Sequence, residues 1–215
     1  MPIPVCLEVT PKKAFASALD WPGWCRAGRD EEAALEELAS YAERYSPVAE
    51  RAGLKFPARI TLDVVERQPG GSTTAFGAPE MTAEAETHPV SAAAARRIAG
   101  LVTAAWAVLD EVAAQSPAEL RKGPRGGGRD RDKMIDHVIG AETAYARKIG
   151  VKFKQPATDD IAAIEELRTA IAAVLGASSD GSPVVPNGWT TRYAARRIAW
   201  HVLDHAWEMQ DRARP

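Results

Sequence analysis

"RRIAWHVLDHAWEMQDR", residues 196–212, is the stretch on which the reading of this chain turns. It carries His201 and His205, two of the protein's four histidines, set four apart among Ile198, Trp200, Val202, Leu203 and Trp207. Side chains four apart on a helix stand on one face. The stripe runs on through Ala194, Ile198 and Glu208, so it is largely apolar. Two imidazoles one turn apart on such a stripe point inward, and a metal site built on them needs a third ligand. Upstream, "RDRDKMIDHVIGAETAYARKIG" (129–150) supplies His137 between Met134, Val138 and Ala141, again on the apolar side. The fourth histidine, His88, precedes Pro89 and reads as a linker residue.

These two segments belong to a set of four amphipathic helices. Helical spacing of apolar residues marks 89–115 (Ile98, Leu101, Val102, Ala105, Leu109, Val112), 129–150, 158–177 (Ile164, Leu167, Ile171, Val174) and 190–212. Four such stripes in succession predict a four-helix bundle of up-down type. The segments 116–128 and 178–189 are the loops between them. "RKGPRGGGR" (121–129) reads as a flexible loop: it lacks the Lys-Ser/Thr ending of a phosphate loop and follows no strand. Its cations are suited to attracting an anionic cofactor.

The first 70 residues follow a different pattern. "VCLEVT" (5–10) and "KKAFASAL" (12–19) alternate as half-buried strands do, with a tight turn between them. "DWPGW" (20–24) breaks the chain. Asp30 is placed to cap a helix that continues toward Gly53, with Glu31 and Glu32 in its first turn and Pro47 as a kink or stop. "ARITLDVVER" (58–67) returns to strand character. The expected architecture is α+β: a ββαβ module over 1–70, a Gly/Ala/Ser/Thr/Pro-rich linker over 71–88 that drapes over the second unit, and the bundle over 89–215.

Composition bounds the function. The 215 residues carry a formal net charge of −2, with 46% hydrophobic and 26% charged residues. That balance gives no electrostatic case for nucleic acid or an anionic membrane. No unbroken apolar run approaches the roughly 20 residues that span a bilayer. "MPIPVCLEVT" lacks the basic start and apolar core of a signal peptide. Cys6 and Cys25 make no disulfide framework, so a cytoplasmic protein with reduced thiols is expected. The Arg pairs at 96–97 and 196–197 read as solvated helix faces, the helical tryptophans (Trp106, Trp200, Trp207) as packing, and a turn tryptophan (Trp21, Trp24 or Trp189) as a roof over the metal.

Imidazole binds Zn, Ni, Fe and Cu, and three protein ligands leave an open position. His137, His201 and His205 are the candidate ligands; the bland alternative is three satisfied core histidines. A ligating histidine passes its second N–H to an acceptor. Asp136, Glu142, Asp204 and Glu208 lie near in sequence, and only Glu208 shares the stripe. It is a candidate to orient a ligand, to serve as a fourth one, or to act as a base, and it is equally well read as a surface charge.

"DKMIDHVIGAETAYARKIG" and "YAARRIAWHVLDHAWEMQDR", with one histidine on the second long helix and an H-x-x-x-H pair on the last, resemble the DinB/YfiT-like superfamily over about 89–213. The resemblance implies a four-helix bundle whose histidine triad holds a divalent metal, commonly Zn or Ni. It also implies transfer of a low-molecular-weight thiol to a small electrophile, or metal-dependent hydrolysis. "FASALDWPGWCRAGRDEEAALEEL" (15–38), through Pro22, Gly23, Gly28, Glu32, Ala33 and Leu35, resembles the HicB-like antitoxin fold over about 5–65, with Trp24 as an insertion and no DNA-binding tail following. A docking or lid role for that module is the expectation. A non-catalytic structural or ligand-binding bundle with an N-terminal interaction module stays open, as does a homodimer. Expected partners are a small-molecule substrate, with neither nucleic acid nor membrane.

Overall fold

The computed structural model describes residues 2–123 and 127–213. In chain order the described elements are strands β1 (Ile3–Thr10), β2 (Lys13–Ala18) and β3 (Cys25–Gly28), helices α1 (Glu31–Ser40) and α2 (Ala42–Arg51), and strand β4 (Leu62–Pro69). There follow α3 (Ser72–Phe76), a 3-10 turn (Glu84–Thr87), α4 (Ala92–Gln115), α5 (Arg131–Arg147), α6 (Ile161–Leu175) and α7 (Thr191–Ala213). The class is α+β. The inter-helix loop expected at 121–129 contains residues 124–126, which lie outside the described residues.

The sheet runs β3-β2-β1-β4, with β1 antiparallel to β2 and parallel to β4. Thr10 pairs with Lys13, so the β1–β2 hairpin closes through Pro11 and Lys12, the tight turn expected from sequence. Both faces of the central strands are covered, which corrects the half-buried reading. Val5, Leu7, Ala14 and Ala16 are fully buried on one face, and α1 packs against β2 and β3. On the other face Phe15 and Cys25 meet Trp200 of α7, with the Phe15 and Trp200 rings edge to face at 6.1 Å.

The expected ββαβ order gains a strand. β3 is four residues long, sits at the sheet edge and has only Cys25 buried. A segment so short has no periodicity of its own; pairing with β2 specifies it. The single helix expected over about 30–53 divides at Tyr41. Pro47 lies inside α2, where it donates no hydrogen bond to the Glu43 carbonyl one turn back and does not end the helix. Asp30 caps α1, accepting from the Ala33 amide at 2.9 Å. Gly53, at φ +69°, closes α2: its amide reaches the Glu50 carbonyl and that of Leu54 reaches Ala49. Gly28 marks a close approach, because a Cβ there would lie 2.2 Å from the Ala34 amide nitrogen.

The linker is a strap with buried anchors. Glu8 on β1 is 4% exposed and its carboxylate accepts from the Glu80 and Met81 amides and the Thr74 hydroxyl. From the other side α7 holds the same strap. Arg196 pairs with Glu86 and donates to the Met81 carbonyl, Arg197 donates to the Pro79 carbonyl, and the Tyr193 hydroxyl donates to the Glu80 carbonyl. The reading of Arg196 and Arg197 as solvated is therefore corrected: they are 5% and 8% exposed. Their charges are tolerable inside because each guanidinium meets a carboxylate or carbonyl. Arg97 is half-buried, its guanidinium 4.5 Å over Trp21.

The other three long helices pack against α7. α4 lies against α7 and α6, and α5 against α7 and α6, while α2 reaches α4 from the N-terminal region. One apolar cluster runs without a break from Ile3 and Leu7 through Leu38 and Leu101 to Val202 and Met209. By length and composition α4 is the one helix among the described residues suited to crossing a membrane, and 56% of its most apolar stretch is buried in this core.

Candidate metal centre

α7 presents His201 and His205 on the flank that faces α5, and α5 brings His137 to meet them. The packing follows from sequence: Met134 and Val138 of α5 and Ile198 and Val202 of α7 are all buried in the shared core, and they fix the helix rotations that aim the histidines together. One ring nitrogen from each of the three lies within 4.8 Å of the others. Ring centroids stand 5.0 Å apart for His137–His201, 5.0 Å for His137–His205 and 4.6 Å for His201–His205.

Nε2 of His137 and Nε2 of His201 are 3.2 Å apart. Two neutral imidazoles facing through Nε2 make one hydrogen bond only if one of them carries its proton there. A cation between them engages both lone pairs. Zn–N bonds near 2.0–2.1 Å in a tetrahedral site put neighbouring nitrogens about 3.3 Å apart. The donor set fits a divalent ion with imidazole preference.

Electrostatics favours the neutral, ligating form. Burial holds His201 well below the ordinary imidazole value, and His205, His137, Arg197 and Arg129 push the same way. Burial also lowers His137, helped by Arg129 and His205 and opposed by Glu208 and Asp136. Nδ1 of His201 is buried without a partner among the described residues. At His205 the second nitrogen is taken: Nδ1 lies 3.1 Å from Glu208 Oε2, which leaves Nε2 for the cluster. The other Glu208 oxygen accepts from Arg212 at 2.7 Å. With His205 first and Arg212 second, these bonds hold the Glu208 carboxyl below its ordinary value despite desolvation. Both its oxygens are engaged, so of the roles open to Glu208 the geometry favours orienting His205.

The other acidic neighbours are diverted. Glu142 is 1% exposed and turned to Arg168, Asp204 pairs with Arg26, and Asp136 accepts from Gln155. His88 is exposed and outside the cluster. No turn tryptophan covers the histidines directly. Trp21 and Trp24 pack with Tyr45 and Phe56, while Trp189 lies tilted against Tyr145, whose ring stands 5.8 Å from His201. Both cysteines are buried, and that burial, above all, pushes Cys6 up to about 11 and Cys25 up to about 12, away from the thiolate form.

Sequence reasoning missed Arg26. This β3 residue lies 3.9 Å over the Tyr41 ring and pairs with Asp204, one residue before His205, tying the sheet to the site. Only the unrecognised third strand positions it, so no local pattern marked it. A pocket of about 300 Å³ opens there, lined by Arg26, Tyr41, Trp207 and Glu208 among others. No family model, no curated protein and no solved structure matches this chain.

Proposed function

We propose that this is a divalent-metal-binding protein in which His137, His201 and His205 hold Zn or Ni between α5 and α7, and in which α4 to α7 form a DinB-like up-down four-helix bundle. The observation that carries the reading is the convergence of three ring nitrogens from two helices within 4.8 Å, with two Nε2 atoms 3.2 Å apart. As a reaction, the resemblance favours addition of a low-molecular-weight thiol to a small electrophile: the sulfur bonds carbon and the thiol proton ends on the adduct. A divalent ion in this place supplies a Lewis acid that lowers a thiol's or water's pKa or polarises a substrate oxygen.

The chain's own residues do the rest. Desolvation of His201 and His137 keeps their lone pairs free at neutral pH. Glu208 fixes the tautomer and ring plane of His205, and Arg212 fixes Glu208. Cys6 and Cys25 are buried and unreactive, so the thiol of such a reaction comes from outside the chain. The N-terminal region, with its HicB-like sequence features, is a covering module whose Arg26 and Tyr41 wall the neighbouring pocket.

A closed structural ion is the second reading, favoured by the burial of His201, 7% exposed. Metal analysis of untagged protein by mass spectrometry, with a His201→Ala variant beside it, tests the site. About one equivalent of Zn or Ni, lost in the variant, is expected. Protein purified without chelators that stays metal-free and rejects added Zn and Ni overturns the proposal. Exchange of bound metal with a small chelator separates an open site from a closed one.

A further inference from the structure

A second cleft lies well away from the histidines, where the start of β1, the Trp21 turn and the first turns of α4 and α7 meet. Its volume is about 470 Å³, and it is lined by Ile3, Leu19, Trp21, Ile98, Arg97 and Arg192 among others. Arg192 stands nine residues before His201 on α7, about 13 Å along the helix axis. The two sites are therefore separate.

The lining combines two kinds of surface. Trp21, Ile3, Leu19, Ile98 and the rings of Pro2, Pro4 and Pro57 make apolar walls. Two guanidiniums face them. Arg97 is pinned, stacked 4.5 Å over Trp21 and donating to the Asp20 carbonyl, so it is a fixed positive charge. Arg192 is the unexplained group. Its neighbours Arg196 and Arg197 are paired, to Glu86 and to the Pro79 carbonyl, whereas its own Nε is buried with no hydrogen-bond partner among the described residues. The Arg192 guanidinium as a whole is only partly buried and lines the cleft, so an anion there meets its charge. Asp20 is the one carboxylate in the lining, against two arginines, so the formal balance is positive. The first turns of two long helices, through Ala94 of α4 and Arg192 of α7, add positive potential.

We propose that this cleft binds a small organic carboxylate with an apolar body. The Arg192 fork receives the carboxylate, Arg97 adds charge from the opposite element, and Trp21 and Ile98 take the apolar part. A guanidinium suits a planar carboxylate through two parallel bonds. The apolar walls select against small inorganic anions, which have nothing to bury there.

The test is titration calorimetry of the full chain with 3-phenylpropionate, its neutral amide, acetate and inorganic phosphate. Arg192→Gln and Ile98→Asp serve as variants, with circular dichroism and histidine-site metal content as checks of folding. Phenylpropionate is expected to bind with a Kd of roughly 1 mM or tighter, and the amide at least about tenfold more weakly. Arg192→Gln, which removes the charge but keeps much of the stem, is expected to weaken phenylpropionate about tenfold or more while metal content holds. If Ile98→Asp fails to fold, the amide and acetate comparisons on the unaltered protein still decide the matter. The proposal is overturned if phenylpropionate does not bind, if the amide, acetate or phosphate binds as tightly, or if Arg192→Gln binds unchanged.

Discussion

Replacing Glu86 with Ala is the sharpest challenge to the account of the strap. The Glu86 carboxylate is 4% exposed and lies against Arg196 through two bonds, Nε–Oε1 at 2.6 Å and Nη2–Oε2 at 2.9 Å. Burial works against the Arg196 charge, but Glu86 beside it more than offsets that and holds the guanidinium above its ordinary pKa. Truncating Glu86 leaves that cation inside with only the Met81 carbonyl and a long contact to Ser17. The Ala83 amide loses its acceptor as well. Breaking a buried pair in this way costs about 3–5 kcal/mol, a large part of a typical total of about 5–15 kcal/mol. For a chain of this size the melting temperature should fall by roughly 10 °C. Urea unfolding followed by tryptophan fluorescence and circular dichroism measures the loss. The double variant Glu86→Leu with Arg196→Met should recover most of it, because apolar side chains of similar volume replace a buried pair at little cost. A loss below about 1 kcal/mol for Glu86→Ala, or a double variant no more stable than the single one, refutes the view that this pair anchors the strap.

Two further outcomes bear on the histidines. Glu208→Gln removes the charge that orients His205, and Zn affinity measured by competition with a chromophoric chelator should drop about tenfold to a hundredfold; unchanged affinity rules out that role for Glu208. In chelator-treated protein, stability should fall as pH drops below the ordinary imidazole value of 6.5. The sign follows from the depressed folded pKa of His201 and His137: in that window the unfolded chain binds more protons than the folded one, so acid favours unfolding. Urea midpoints at about pH 7.5 and pH 5.5 check this, with a flatter response expected of His201→Gln; an equal or higher midpoint in acid contradicts the burial argument.

Much of the candidate site was legible because it is local or periodic. His201 and His205 share a face by spacing alone, and the Met134 and Val138 stripe places His137 inward without reference to any partner. Asp30 as a cap and Pro11–Lys12 as a turn are equally short-range. What escaped was specified across long separations. β3 exists because β2 lies beside it, and Cys25 to Gly28 carry no pattern of their own. Arg196 and Arg197 read as surface charges because their acceptors, Glu86 and the Pro79 carbonyl, sit about 110 residues away in a segment whose composition suggested only a linker. The break at Tyr41 lies six residues before Pro47, upstream of the Glu43 carbonyl that the proline leaves without its helical donor, and side-chain pattern does not display it.

The central position of α7 has a consequence for how the chain comes to be folded. It is the last of the described elements, yet it supplies two of the three histidines, the clamp on the strap and the wall behind the sheet. In synthesis from the N-terminus, β1 pairs with β4 across roughly sixty residues and the sheet then waits for a helix roughly 120 residues further on. Early intermediates therefore carry Phe15, Cys25 and the unmatched carboxylate of Glu86 without their covering partner. Non-local closure of this kind slows folding and leaves surface exposed that is prone to association. The histidine cluster draws on α5 and α7, so it assembles only once α7 has docked.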